Sequence, residues 1–144
     1  MYRRNSLLIV LTTTALLFPS CARRDGVYPV RGQVFYDGKP AIGALVVFHP
    51  VGQASPDAVL PRGQIREDGS FVLTTLADQD GSPPGDYVVT IEWWQARVTK
   101  KGQESDDAFP VNRLPARYAS VQASKLRVQI KPENNELPAF RLTK

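Results

Sequence analysis

The chain has 144 residues, 42% hydrophobic and 22% charged, with 18 Lys and Arg against 14 Asp and Glu and a formal net charge of +4. That length fits one domain with a sizeable core, and the single cysteine excludes an intramolecular disulfide framework. No Lys or Arg run interleaved with aromatics occurs, so no nucleic-acid partner is expected and a solvated mixed-charge surface accounts for the balance.

Residues 1–20 differ in kind from the rest. Arg3 and Arg4 precede an apolar stretch from Leu7 to Phe18, interrupted only by three threonines, and Pro19 and Ser20 then lead into Cys21. Basic, apolar and small-residue regions in that order are the pattern of a secretory signal peptide. The apolar run is about twelve residues, short of the roughly 20 that span a bilayer. Leu17-Phe18-Pro19-Ser20-Cys21 resembles the bacterial lipobox: Ser20 is the small residue before the cysteine, while Phe18 and Pro19 depart from the pattern. The resemblance implies cleavage before Cys21, acylation of its thiol by a diacylglycerol group and acylation of the new amino terminus. Two or three acyl chains anchor a protein to a membrane where one gives marginal binding. Ala22 after the cysteine implies an outer-membrane address. Residues 21–28 read as a polar linker. Without residues 1–20 the charge count is 16 basic against 14 acidic, a net of +2.

From residue 29 to 144 the chain reads as short strands between turns. Val30 to Tyr36 alternates with a period of two, and Asp37-Gly38 follows as a hairpin signal, with Pro40 confining what comes next to an edge. Ala44 to Phe48 is a wholly apolar run of strand length. Arg62 to Arg66 and Ser70 to Thr75 flank Asp68-Gly69 as a second hairpin. Tyr87 to Val98 is the longest candidate; Lys125 to Lys131 alternates Leu126, Val128 and Ile130 with polar residues, and Phe140 and Leu142 form a short closing strand. No window after the linker shows helical spacing with caps. About seven strands with Gly and Pro turns predict an antiparallel β-sandwich.

On the long strand Tyr87, Val89, Ile91 and Trp93 share one face, apolar throughout and therefore assigned to the core, and Val88, Thr90, Glu92 and Trp94 share the other. Trp94 thus points outward, where its ring either stacks on a ligand or is covered by a neighbouring loop. The polar segment from Thr99 to Ala123 has no strand pattern, exceeds the usual loop length and could supply that cover.

The turns carry a resemblance. Gly32-Gln33-Val34, Asp37-Gly38-Lys39-Pro40-Ala41 and Gly43-Ala44-Leu45-Val46-Val47-Phe48 are similar to the opening of carboxypeptidase regulatory-like domains, which are transthyretin-like, prealbumin-like sandwiches. Asp68-Gly69-Ser70-Phe71, Pro84-Gly85-Asp86-Tyr87 and Pro115-Ala116-Arg117-Tyr118 with Ser124-Lys125-Leu126 resemble later motifs of small lipoproteins of that group. The resemblance implies a seven-stranded Greek-key β-sandwich and carries no catalytic residue, because the matched positions are turn and core positions.

An inventory of reactive groups points the same way. His49 is the sole histidine, placed at a strand end, and no G-x-S-x-G nucleophile motif accompanies it. Zinc would need further His or Cys, and no cofactor is expected. Asp78, Asp80 and Asp86 form a loose acidic loop that could hold calcium, although turn chemistry explains it as well. Lys39, Glu92 and Asn134 are the residue types of an isopeptide bond, but Lys39 lies in a turn and Glu92 faces outward. The expectation is a non-catalytic, lipid-anchored cell-envelope protein that displays its sandwich to a protein partner, or alternatively binds a surface polysaccharide through Trp94.

Overall fold

The computed structural model describes residues 26–52, 58–96 and 109–144. The expected signal segment, Cys21 and residues 99–108 lie outside the described residues. Among those described, the chain is nearly all β, with eleven strands, no α-helix and one three-residue 3-10 turn.

The first sheet is built on β1 (Val30–Tyr36). Along one side run β2 (Lys39–Pro40) and β5 (Ser70–Val72), both antiparallel to it; along the other lie β10 (Asn135–Glu136) and β11 (Phe140–Leu142), both parallel to it. A wholly antiparallel arrangement is therefore corrected. The last two strands come back alongside β1 in its own direction, which parallel pairing permits because a long stretch of chain separates them. The second sheet is antiparallel throughout, ordered β4 (Arg62–Gln64), β3 (Leu45–Pro50), β6 (Gly85–Glu92) and β9 (Arg127–Ile130). A separate pair, β7 (Trp94–Gln95) with β8 (Val111–Asn112), continues from β6.

Turn chemistry explains the corners. Tyr36 pairs with Lys39 across a two-residue loop in which Asp37 and Gly38 both have positive φ, 47° and 80°, the type I′ geometry whose twist suits a hairpin. Pro40 sits in the two-residue strand that follows, at the edge as expected. At Asp68-Gly69 the carboxylate Oδ1 accepts from the Ser70 amide at 2.9 Å, and Arg66 and Ser70 bond across the turn. Its two arms still meet at Arg62 and Thr74, yet β4 pairs outward with β3 and β5 with β1. The second hairpin thus forms a corner joining the two sheets.

The sheets share one core. The Phe48 ring of β3 lies 6.3 Å from Phe71 of β5 and 5.9 Å from Tyr87 of β6, while Phe71 stacks on Phe140 of β11 at 6.2 Å and 14°. Tyr87, Val89 and Ile91 are buried as expected, with Trp93 partly so. Val88 and Thr90, on the face opposite the one assigned to the core, are buried too. β6 is an inner strand, flanked by β3 and β9, and His49 lies across it bonded to Thr90.

The segment that lacked a strand pattern is structured where it is described. It contains β8, the buried Leu114 and the 3-10 turn Ala116–Tyr118, with Tyr118 packed against the core. Ser124 Oγ donates to the Val89 carbonyl at 2.6 Å, and Arg117 Nη2 donates to the carbonyls of Thr143 and Lys144 at 2.6 and 2.7 Å. This segment, with Ser124 just beyond it, therefore bonds to β6 of one sheet and to the residues after β11 of the other. Its few apolar residues are irregularly spaced, so no period announces them.

Candidate functional site

β6 leaves its sheet at Trp93. There the backbone N–H of Trp93 donates to Asn112 Oδ1 at 3.0 Å, an oxygen that also accepts from the Leu114 amide, so one asparagine side chain fixes the departure into β7. The Trp93 indole turns inward, packs edge-on against Tyr36 at 6.4 Å and donates Nε1–H to the Ile42 carbonyl at 2.8 Å. Trp94, the next residue, must then face the opposite way.

Trp94 is 57% exposed, as the alternation predicts. Its Nε1–H donates to Glu92 Oε2 at 2.7 Å, which holds the indole by its edge and leaves the ring surface open. Glu92 pairs across the ladder with Leu45, and Leu45 with Gln64, so these three side chains form one row on the outer face of the second sheet. Leu45 is 40% exposed and Ile42, three residues before it, 48%. An aromatic ring, two aliphatic side chains, a carboxylate and an amide are thus presented together. Beyond Leu45 an open groove of about 590 Å³ runs past Arg62, Gln64 and Arg66 to Thr74 and Gln79. Such a surface can stack on a flat apolar face and hydrogen-bond its rim.

The remaining candidates are used otherwise. His49 is the penultimate residue of β3, half-buried, with Nε2 2.8 Å from Thr90 Oγ1, and burial lowers its pKa below the ordinary 6.5. Asp80 accepts at Oδ1 from the Thr75 amide and at Oδ2 from those of Leu76 and Ala77, so backbone N–H groups occupy the oxygens that a calcium ion would need. Among the described residues no group of three or more His, Cys, Asp and Glu is placed to hold a metal. Lys39 is in β2, Glu92 in β6 and Asn134 ahead of β10, and no hydrogen bond or ion pair joins them. Leu45 and Ile42 are the additions sequence reasoning missed. Leu45 lies in a wholly apolar run, where no local signal tells which alternate residues face solvent, and Ile42 lies in the turn before it, outside any periodic pattern.

No family model matches the chain, and no curated protein does. Among solved structures, it is similar to a 9R-lipoxygenase from Cyanothece PCC8801 at 11% identity and a TM-score of 0.44, over 92% of this chain. The chain corresponds to 18% of the length of that protein.

Proposed function

We propose that this chain is a non-catalytic lipoprotein of the bacterial cell envelope, anchored at the outer membrane by acyl chains on Cys21, that displays a β-sandwich for interaction with another envelope protein. The observation that carries the interaction reading is the exposed Trp94 bonded to Glu92, with Leu45 paired to Glu92 and Ile42 near Leu45, since clustered large apolar side chains on a folded surface mark contact sites. The finer fold we infer is the seven-stranded Greek-key sandwich of carboxypeptidase regulatory-like domains. Seven strands of three or more residues (β1, β3, β4, β5, β6, β9 and β11) support it, as does the placement of Asp37-Gly38 and Asp68-Gly69 at turns. Tyr28 already bonds to Ser82 in both directions at 2.9 Å, so six residues lie between the anchor cysteine and the folded domain, seven Cα steps with a reach of at most about 25 Å.

The anchor is tested by metabolic labelling with a palmitate analogue. The parent incorporates label and Cys21→Ala does not; label retained in the variant overturns the assignment. A second reading, a carbohydrate-binding module, is favoured by the Trp94 indole alone, open on its face and held at its edge by Glu92. Cross-linking in intact cells separates the two, because a protein partner is recovered reproducibly on the first reading and purified wall polysaccharide is bound on the second. In either case Trp94→Ala, in a domain whose melting temperature is unchanged, weakens binding at least about tenfold. Unaltered binding removes Trp94 from the site.

A further inference from the structure

Three cationic side chains line one cleft at the seam between the two sheets. Arg117 and Tyr118 of the 3-10 turn, Ala123, Lys125 and Leu126 ahead of β9, and Arg141 of β11 enclose about 260 Å³. No Asp or Glu side chain lines it, and the two side-chain ion pairs of the described residues, Lys131 with Glu133 and Lys144 with Asp37, use none of these three cations, although Arg117 Nη2 also meets the backbone oxygen of Lys144 at 2.7 Å. Like charges gathered around one concavity make a positive potential that an oxyanion relieves.

The cleft is also partly preorganised. Arg117 is held through Nη2 by the Thr143 and Lys144 carbonyls, and its guanidinium lies 4.7 Å over the Tyr118 ring. Its Nε and Nη1 donors have no protein partner among the described residues. Arg141 is steadied 5.9 Å over the Phe35 ring. Rotamer entropy lost before a ligand arrives is not lost again on binding.

We propose that this cleft binds a phosphomonoester carried on a sugar of an envelope polysaccharide. Such a group has a charge of about −1.5 to −2 at neutral pH and three acceptor oxygens, a closer match to three cations than one carboxylate provides. The volume lies below the roughly 300–1,000 Å³ of pockets for whole small molecules, so it takes the phosphate and part of one sugar ring. Tyr118, Ala123 and Leu126 supply an apolar wall for the ring's C–H face. The choice of a polysaccharide over a lipid headgroup rests on the anchor reading of Cys21. β11 runs parallel to β1 with Arg141 opposite Phe35, about 16 Å along the strand from Val30, where the chain arrives from the anchor. The cleft therefore lies toward the end of β1 remote from that arrival point.

Isothermal titration of the full chain with glucose 6-phosphate at low ionic strength tests the proposal, with glucose and phosphatidic acid vesicles as the other arms. Glucose 6-phosphate is expected to bind and glucose not to; Arg141→Gln and Lys125→Gln each weaken binding at least about tenfold, while Arg31→Gln, at the other end of β1, leaves it unchanged. Absence of glucose 6-phosphate binding, or binding indifferent to both cleft substitutions, overturns the proposal. Binding of the vesicles without binding of the sugar phosphate also overturns it and assigns the cleft to a lipid headgroup. Cys21 labelling is read separately, so loss of the anchor reading and loss of the phosphate site are distinguishable.

Discussion

Burial of the His49 ring across Thr90 has a cost that depends on pH. The folded chain binds the imidazole proton less readily than the unfolded chain, because desolvation lowers the folded-state pKa below 6.5. The unfolded state therefore binds more protons as the pH falls, and stability declines as pH drops through 6.5, levelling off below the folded-state pKa. Thermal melts are expected to show the melting temperature falling across that window, and His49→Gln, which keeps an amide facing Thr90, to flatten the fall. An unchanged slope in the variant would exclude His49 as its cause. Asp68 acts in a separate, more acidic window. Hydrogen bonds from Ser70 hold its carboxyl below the ordinary 3.8, so the stability it contributes is present above that value and lost as pH falls through the lowered one.

Between elements, the contact of β1 with β5 turns on Gly32. It pairs with Phe71, and a Cβ at residue 32 would stand 2.7 Å from Cζ and 2.8 Å from Cε1 of that ring, which is itself stacked on Phe140 and set beside Phe48. Phe71 cannot retreat without disturbing both sheets. Gly32→Ala is expected to destabilise the domain by about 1–3 kcal/mol, seen as a lower urea midpoint with an unchanged m value; a midpoint equal to the parent's would mean the ring has room to move. The sequence showed the glycine and the strand around it through period-two alternation, and Asp37-Gly38 and Asp68-Gly69 marked their turns because positive φ and side-chain capping are local demands. What lay opposite Gly32 was not legible, since pairing across some forty residues leaves no local trace. The same limit hid the parallel pairing of β10 and β11, the burial of Val88 and Thr90, and the convergence of Arg117, Lys125 and Arg141 from three separate segments. Trp94 was legible because side-chain alternation runs on from β6 through Trp93 into β7.

At the scale of the molecule, β1 lies at the centre of the first sheet although it is the first strand of the domain. Its neighbours on one side are residues 135–142, the last strands in the chain. A chain emerging from its amino end therefore exposes one edge of β1 throughout most of its synthesis. The edge finds its partners only when residues 135–142 appear, about a hundred residues later, which sets a high contact order and a folding time nearer milliseconds to seconds than microseconds. Completion of the domain thus waits for residues 135–142. On the reading of residues 1–20 as an export signal, that delay is useful: the polypeptide stays threadable while it crosses the inner membrane, and the closing strands reach β1 on the far side.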